Sequence, residues 1–314
     1  MTHPTLLPAP LYKGSVNSWE CDDGGHLNVR FHLERALIGL AHLAHQLEMP
    51  RAFTKAAGAT LVPREAHIRF LKEARAGAPL VMHGGVLKLD ECEAHICLDM
   101  RHGDGGPASA FTLRVAHADT RGFQAFAWSQ RSRAAAARLV CKAPAHAIAR
   151  SLQSRGAAST PSIARAAELG AERIGASLVM PDQCDCFGRL RGEHLLGRVS
   201  DAVPNFLAGW RVEMAADAAA QGVEIVPAGA VVEARLRFCA WPRAGDLIEI
   251  HSGVAEINEK TMRLCHWILD PERGGAWAAF EVIALTFDTL TRKTIAPSPA
   301  LLRRMREGVI DITL

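Results

Sequence analysis

An internal repeat constrains the fold of this chain more than any other feature. Residues 65–91 align with residues 233–259 without a gap, and 11 of the 27 aligned positions are identical. The offset is 168 residues there and drifts from 163 to 169 along the chain, in the pairs Asp22 with Asp185, Phe111 with Phe280 and Asp119 with Asp288. Such a drift indicates short insertions, which loops tolerate and strands do not. Each half is therefore predicted to form one complete unit of the same fold.

Within each half, the hydrophobic pattern predicts one long helix followed by several strands. In the first half, residues 29–47 have helical spacing of the apolar residues Leu33, Leu37, Leu40, Ala44 and Leu47. The second half repeats this spacing at Leu196, Val199, Val203, Phe206 and Trp210, but Pro204 predicts a kink or a broken helix there. Alternating residues then predict strands, which in the first half lie at residues 65–70, 80–89, 94–100 and 110–115.

These elements predict an α+β fold of two tandem units, in which a curled antiparallel sheet wraps around each long central helix. The predicted units are residues 10–142 and 171–314, and a connector at residues 143–170 is rich in Ala, Ser, Arg and Pro. The chain has 314 residues, of which 49% are hydrophobic and 22% charged, so it has room for two such cores.

Composition excludes several classes of function. The net charge is only +3, and no run of Lys or Arg carries interleaved aromatic residues, so we expect no nucleic-acid partner. We expect no membrane span and no leader in residues 1–11, and hence a cytoplasmic protein. The eight cysteines form no CxxC pair, and the histidines form no ligand cluster. We therefore predict reduced, buried thiols and no metal.

Residues 19–28, WECDDGGHLN, contain the groups best suited to chemistry and lie directly before the first predicted helix. They place a carboxylate at Asp22, an imidazole at His26 and an amide at Asn28 within seven positions. These groups can act as base, hydrogen-bond donor and orienting group, and the free N–H groups of a helix N-terminus can polarise a carbonyl. In the structural alternative, Asp22 and Asn28 are cap or turn residues and His26 is a surface histidine. The spacing within a repeated unit favours the functional interpretation.

These residues resemble the hotdog-fold thioesterases, which include 4-hydroxybenzoyl-CoA, acyl-CoA and acyl-ACP thioesterases. The resemblance rests on the pattern DxxGHxN at Asp22, Gly25, His26 and Asn28, and covers roughly residues 10–130 and 172–298 as a tandem double hotdog. It implies that Asp22 is the nucleophile or the general base. It also implies that amide groups where the motif enters the helix, at Gly25 and Val29, bind the thioester oxygen.

The acyl-ACP branch of the family has one further site residue that this chain shares and another residue that it lacks. Its strand carries a glutamate after an aromatic residue and two others, and Phe70-Leu71-Lys72-Glu73 fits that pattern, which implies that Glu73 is catalytic. That branch often has Asn two residues after the Asp, where this chain has Gly24. The resemblance therefore implies cofactor-free hydrolysis of an acyl-CoA, ahead of an acyl-ACP, in fatty acid metabolism. It leaves open a homodimer of double hotdogs.

The second half carries an altered copy of the motif at residues 185–191. Asp185 and the glycine are retained, but Arg189 stands in place of the histidine and Arg191 in place of the asparagine. Trp241 stands in place of Glu73. We predict that this half has lost most of the catalytic set and completes the pocket. The alternative is a rearranged second site made by Asp185, Glu193 and His194.

Two other functions remain open from the sequence. A hotdog hydratase or dehydratase would act on an enoyl thioester with a paired Asp and His, but the spacing from Asp22 to His26 is one residue shorter than the usual pattern. A non-catalytic acyl-CoA sensor is the second alternative. A sensor that regulates transcription needs a helix-turn-helix or a basic arm, which residues 1–11 and 299–314 do not provide.

Overall fold

The structure is a computed structural model that describes residues 9–152 and 160–314. The described chain divides into two compact units. Unit 1 contains the residues up to Ala149 together with Cys184–His194, and unit 2 contains Arg150–Gln183 and Leu195–Leu314. Residues 153–159 of the predicted connector, and most of the N-terminal segment predicted to lack a leader, lie outside the described residues.

Unit 1 is an antiparallel sheet with a long helix. Its elements are β1 (Tyr12–Ser15), α1 (Val29–Gln46), β2 (Ala59–Phe70), β3 (Pro79–Leu89), β4 (Glu93–His102), β5 (Pro107–Asp119) and α2 (Gln130–Arg138). The strand order is β1-β3-β4-β5-β2, and each neighbouring pair is antiparallel. The long helix and the meander that follows it confirm the predicted unit.

Helix α1 packs its apolar stripe against this sheet. The stripe is buried along its length, at Leu33, Ala36, Gly39, Leu40, Leu43 and Ala44. A Cβ on Gly39 would stand only 2.7 Å from the sulfur of Met82 and 3.7 Å from Leu98, so the helix closely approaches β3 and β4 there. The predicted boundaries, residues 29–47, agree with the observed helix to within one residue.

Unit 2 repeats this plan. It contains α3 (Ile163–Leu169), β6 (Glu172–Leu178), most of α4 (Gly192–Ala220), β7 (Pro227–Phe238), β8 (Leu247–Ile257), β9 (Thr261–Leu269), β10 (Ala276–Asp288) and α5 (Pro299–Glu307). The strand order is β7-β10-β9-β8-β6, antiparallel throughout. Of the two outcomes predicted at Pro204, the broken helix is wrong, because α4 continues through this residue. Buried Leu196, Val199, Ala202 and Leu207 hold the helix by packing, which outweighs one lost backbone hydrogen bond.

The repeat extends to details of the backbone. β2 has a bulge at Arg64 and β7 at Val232, 168 residues apart. β3 and β8 have bulges at Leu87 and Ala255, at the same offset. Bulges are specific local features, so their recurrence at equivalent residues supports the aligned repeat independently of sequence identity.

None of the eight cysteines, all of which lie in the described residues, forms a disulfide, but the prediction that they are buried is only partly correct. Cys97, Cys141 and Cys265 are buried, Cys239 is exposed, and the others are intermediate. Burial raises the pKa of the Cys97 thiol to about 12 and that of Cys141 to about 11. These two are therefore unreactive thiols packed in the core. Among the described residues, no helix is both long and apolar enough to cross a bilayer.

Candidate active site

The loop before α1 is a tight turn that places Asp22 beside His26. The backbone N–H of Asp22 donates to the His26 carbonyl at 2.8 Å, and the N–H of Gly25 donates to the Asp22 carbonyl at 3.0 Å. Gly25 has a φ of 74°, in the left-handed region that glycine adopts at no steric cost. The glycine in the motif therefore closes the turn. Whether its amide also binds substrate stays a prediction.

The carboxylate of Asp22 has one oxygen engaged by the loop and one available. Oδ1 accepts from the N–H groups of Gly24 at 3.0 Å and His26 at 3.1 Å. Nδ1 of His26 lies 3.7 Å from the same oxygen. Oδ2 accepts no hydrogen bond from the part of the chain that the structure describes, and the side chain is 38% exposed. The loop thus orients this carboxylate and leaves one oxygen for water or substrate.

His26 connects Asp22 to Glu73. Its Nε2 lies 3.0 Å from Oε2 of Glu73, which is 46% exposed and follows the end of β2. The N–H of Leu27 donates to the Ala74 carbonyl at 2.7 Å, so the backbone holds the two segments together as well. The imidazole, whose side chain is only 11% exposed, therefore lies between two more exposed carboxylates.

Asn28 is the N-terminal cap of α1. Its Oδ1 accepts from the N–H of Arg30 at 3.0 Å, and its own N–H donates to the Glu20 carbonyl at 2.9 Å. Val29 is the first residue of the helix and is partly buried. The cap fixes where α1 begins, and so fixes the position of the helix N-terminus relative to His26.

Comparison with known proteins identifies the family. The model of the thioesterase-like superfamily matches residues 16–149 and again residues 179–305. The chain belongs to the thioesterase-like superfamily. It is a thioesterase built as a tandem repeat, and the predicted hotdog family is confirmed. No curated protein matches the chain.

Solved structures share the fold of this thioesterase at low sequence identity. A putative oleoyl thioesterase from Lactobacillus plantarum is 12% identical, with a TM-score of 0.65, and the match covers 88% of this chain and 95% of that one. A 12:0-ACP thioesterase from Umbellularia californica is 10% identical, with a TM-score of 0.64 and coverages of 88% and 93%. An acyl-ACP thioesterase from Bacteroides thetaiotaomicron is 11% identical, with a TM-score of 0.61 and coverages of 87% and 96%. These matches confirm the α+β tandem hotdog fold.

The second motif of the thioesterase, at residues 185–191, has a different electrostatic arrangement. Oδ2 of Asp185 accepts from Nε of Arg189 at 3.0 Å and from its Nη2 at 2.8 Å, while Oδ1 accepts two backbone N–H groups. The Arg189 guanidinium also lies 4.1 Å from the ring centroid of Phe123. Trp241, in place of Glu73, stacks on Phe238 at 5.1 Å. Asp185 thus has both oxygens engaged, unlike Asp22.

The structure does not bring Asp185, Glu193 and His194 together as one set. Asp185 pairs with Arg189, whereas Arg191 lies 3.3 Å from Glu193 and donates to Nε2 of His194 at 2.8 Å. Burial raises the pKa of Glu193. Two arginines thus occupy the positions from which a second site would need free acid–base groups.

A buried ion pair behind the first motif was missed by the sequence reasoning. Nη2 of Arg35 donates to Oε2 of Glu20 at 2.8 Å and to the Ser15 carbonyl at 3.1 Å. Arg35 is 3% exposed, and although burial raises the pKa of Glu20, the hydrogen bonds and charge of Arg35, with hydrogen bonds from Asn17, hold that pKa below its ordinary value. The sequence position of Arg35 indicated that it needs a partner, because it lies on the apolar stripe of α1, where an unpaired charge is costly. Its partner could only be found in three dimensions.

Proposed function

We propose that this thioesterase hydrolyses an acyl-CoA at the group formed by Asp22, His26 and Glu73. The proposal depends above all on one observation: His26 lies 3.7 Å from Asp22 and 3.0 Å from Glu73. Two carboxylates joined through an imidazole give a base, an orienting group and a donor in one place, which hydrolysis of a thioester requires.

In the proposed reaction, Asp22 acts as a general base. Its available Oδ2 takes a proton from water as the water oxygen attacks the thioester carbonyl. N–H groups at the start of α1 stabilise the oxyanion. The carbon–sulfur bond then breaks, the acyl group leaves as a carboxylic acid, and the proton passes to the thiolate. Glu73 holds His26 and the attacking water in position. The reaction needs only water and the thioester, so we propose no cofactor and no metal.

The carrier of the acyl group is proposed to be CoA, with ACP as the alternative. Gly24 supports CoA because the acyl-ACP branch often has Asn there, and a Cβ at this position would lie 3.0 Å from the His26 ring. The thioesterases from Umbellularia and Bacteroides that share the fold act on acyl-ACP, which keeps that carrier as the alternative. A cytoplasmic location and a homodimer stay predictions.

The test measures thiol release from a panel of saturated acyl-CoAs of increasing length, and from the matching acyl-ACPs. We expect Asp22→Asn to lower kcat by about 100-fold or more, since general acid–base catalysis typically contributes 10²–10⁴-fold. Asp23→Asn is the matched control: it makes the same charge change at the adjacent exposed residue, and should keep wild-type kcat.

Other outcomes select among the alternatives. Equal rates for Asp22→Asn and the wild type would refute the role of Asp22. Tight binding of acyl-CoA without thiol release would support the non-catalytic sensor. Water addition to an enoyl-CoA, with the thioester left intact, would identify a hydratase.

A further inference from the structure

A buried histidine lies behind the first motif and touches both segments that carry the proposed site. His32, on α1, is 5% exposed, and its Nδ1 is 3.0 Å from Oγ of Ser109 on β5. Its ring packs edge-on against Phe70, with centroids 5.2 Å apart. The ring also hydrogen-bonds the backbone of Leu27. We call His32 and Ser109 the inner pair.

The inner pair contacts the two segments that carry the proposed site residues. Leu27 is the residue between His26 and Asn28, and Phe70 ends β2 three residues before Glu73. Phe70 is also the strand partner of Ser109. The inner pair therefore connects the loop of Asp22 and His26 to the strand end that carries Glu73.

The internal repeat provides a natural comparison. The residue equivalent to His32 in unit 2 is Leu195, and the partner of Phe238, where Ser109 would be, is Ala278. Both are fully buried, so the same space is filled by apolar side chains. At these equivalent positions, the polar pair is present in unit 1, which has the imidazole between two carboxylates, and is replaced by apolar residues in unit 2. Packing alone does not require it.

The inner pair is neutral. Complete burial, with a smaller contribution from the Arg35 charge, lowers the pKa of His32 to about 3. A neutral imidazole has one donor and one acceptor, which suits a carbonyl on Leu27 and a hydroxyl on Ser109. It therefore acts through directional hydrogen bonds and not through charge.

We propose that His32 and Ser109 are positioning residues that hold His26 against Glu73 for the proposed thioester hydrolysis. The inference rests on that proposed function. Loss of the pair removes a polar link between the loop and the end of β2 that acts beside the backbone hydrogen bond of Leu27 to Ala74, so the imidazole and the two carboxylates are held less firmly in one geometry. A displacement near 1 Å costs on the order of 10²-fold in rate.

The test replaces the inner pair of unit 1 with the residue types found at the equivalent positions of unit 2. The double variant His32→Leu/Ser109→Ala removes both partners of the buried side-chain hydrogen bond, and unit 2 packs apolar residues at the equivalent positions, so it should fold. We expect kcat to fall by about 10- to 100-fold, with KM within about threefold and thermal stability close to wild type. The variant His32→Gln, which keeps a donor and an acceptor, should recover part of kcat.

The matched control makes the reciprocal exchange in unit 2. Ser252 and His266 form a buried pair there, with Oγ 2.7 Å from Nδ1, where unit 1 has Gly84 and Leu98. Ser252→Gly/His266→Leu should keep wild-type kcat. Unchanged kcat in the His32 double variant, or an equal loss in both double variants, would overturn the positioning role.

A second readout does not depend on activity. In spectra of protein with ¹⁵N-labelled histidine, the imidazole proton shared by His26 and Glu73 should give a downfield resonance that disappears in the His32 double variant and persists in the control. Persistence in both would also overturn the inference. If the wild type cleaves no thioester but this resonance behaves as expected, the proposed function fails while the positioning geometry stands.

Discussion

Gly24 is a residue on which the geometry of the proposed catalytic loop directly depends. A Cβ at this position would lie 3.0 Å from Cε1 and Nδ1 of His26 and 3.2 Å from Oδ1 of Asp22. These contacts are tighter than ordinary van der Waals packing, so the side chain of Asp22 or of His26 must move. We therefore expect Gly24→Ala to lower kcat by about tenfold, because small displacements of reacting groups are costly.

The same substitution, Gly24→Ala, should have little effect on stability. Residue 24 is exposed, so the free energy of unfolding should change by less than about 0.5 kcal/mol. Gly58→Ala is the control, because a Cβ there has no atom within 4 Å, and should change neither kcat nor stability. If kcat of Gly24→Ala equals that of Gly58→Ala in thiol-release assays, the loop is looser than its geometry indicates.

Helix α1 and the segment before it are joined through the ion pair of Glu20 and Arg35. Both side chains are buried, and Arg35 also donates to the Phe31 carbonyl within α1. Arg35→Met removes the cation and leaves a buried carboxylate without its partner. We expect it to lower the free energy of unfolding by about 3–5 kcal/mol, measured by chemical denaturation at pH 7.

The pH dependence of this effect follows from Glu20. Its pKa is lowered by Arg35, so the stabilisation is fully present above the ordinary value of 4.5 and is lost as pH falls through the folded-state pKa. The difference in free energy of unfolding between wild type and Arg35→Met should therefore become smaller as the pH is lowered. Arg304→Met, which breaks the exposed pair with Glu213, should cost less than about 1 kcal/mol at every pH. A comparable cost for both variants would show that the buried pair has no special role.

At the scale of the molecule, the buried rings of His32 and His266 make stability sensitive to acid. Burial lowers the pKa of His32 to about 3 and that of His266 to about 4, from an ordinary 6.5. Between those values and 6.5 the unfolded chain binds more protons than the folded one, so stability falls as pH falls. At pH 5 each ring should cost roughly 2 kcal/mol relative to pH 7, at 1.36 kcal/mol for each pKa unit.

Denaturation at pH 7 and pH 5 tests this contribution. The double variants His32→Leu/Ser109→Ala and Ser252→Gly/His266→Leu each remove one buried ring, and each should lose about 2 kcal/mol less than wild type on acidification. An acid loss that is the same in all three proteins would mean that neither ring resists protonation.

Much of the fold was predictable because it follows from periodic patterns. The spacing of Leu33, Leu37 and Leu40 defines a helix whatever surrounds it, and alternation defines the strands. Pro204 shows the limit of this reasoning. Proline disfavours the interior of a helix, but the packing of α4 outweighs this local preference, and packing is not encoded in any short segment.

The sequence by itself determined the repeated unit, the α+β tandem fold and the motif that contains Asp22 and His26, because periodicity and residue spacing are local properties. The tertiary structure decided which side chains meet. It placed Glu73 against His26, closed the pair of Glu20 and Arg35, and put His32 behind the loop. These contacts join residues far apart along the chain, and their geometry depends on how a helix and a sheet pack, which no spacing within one segment specifies.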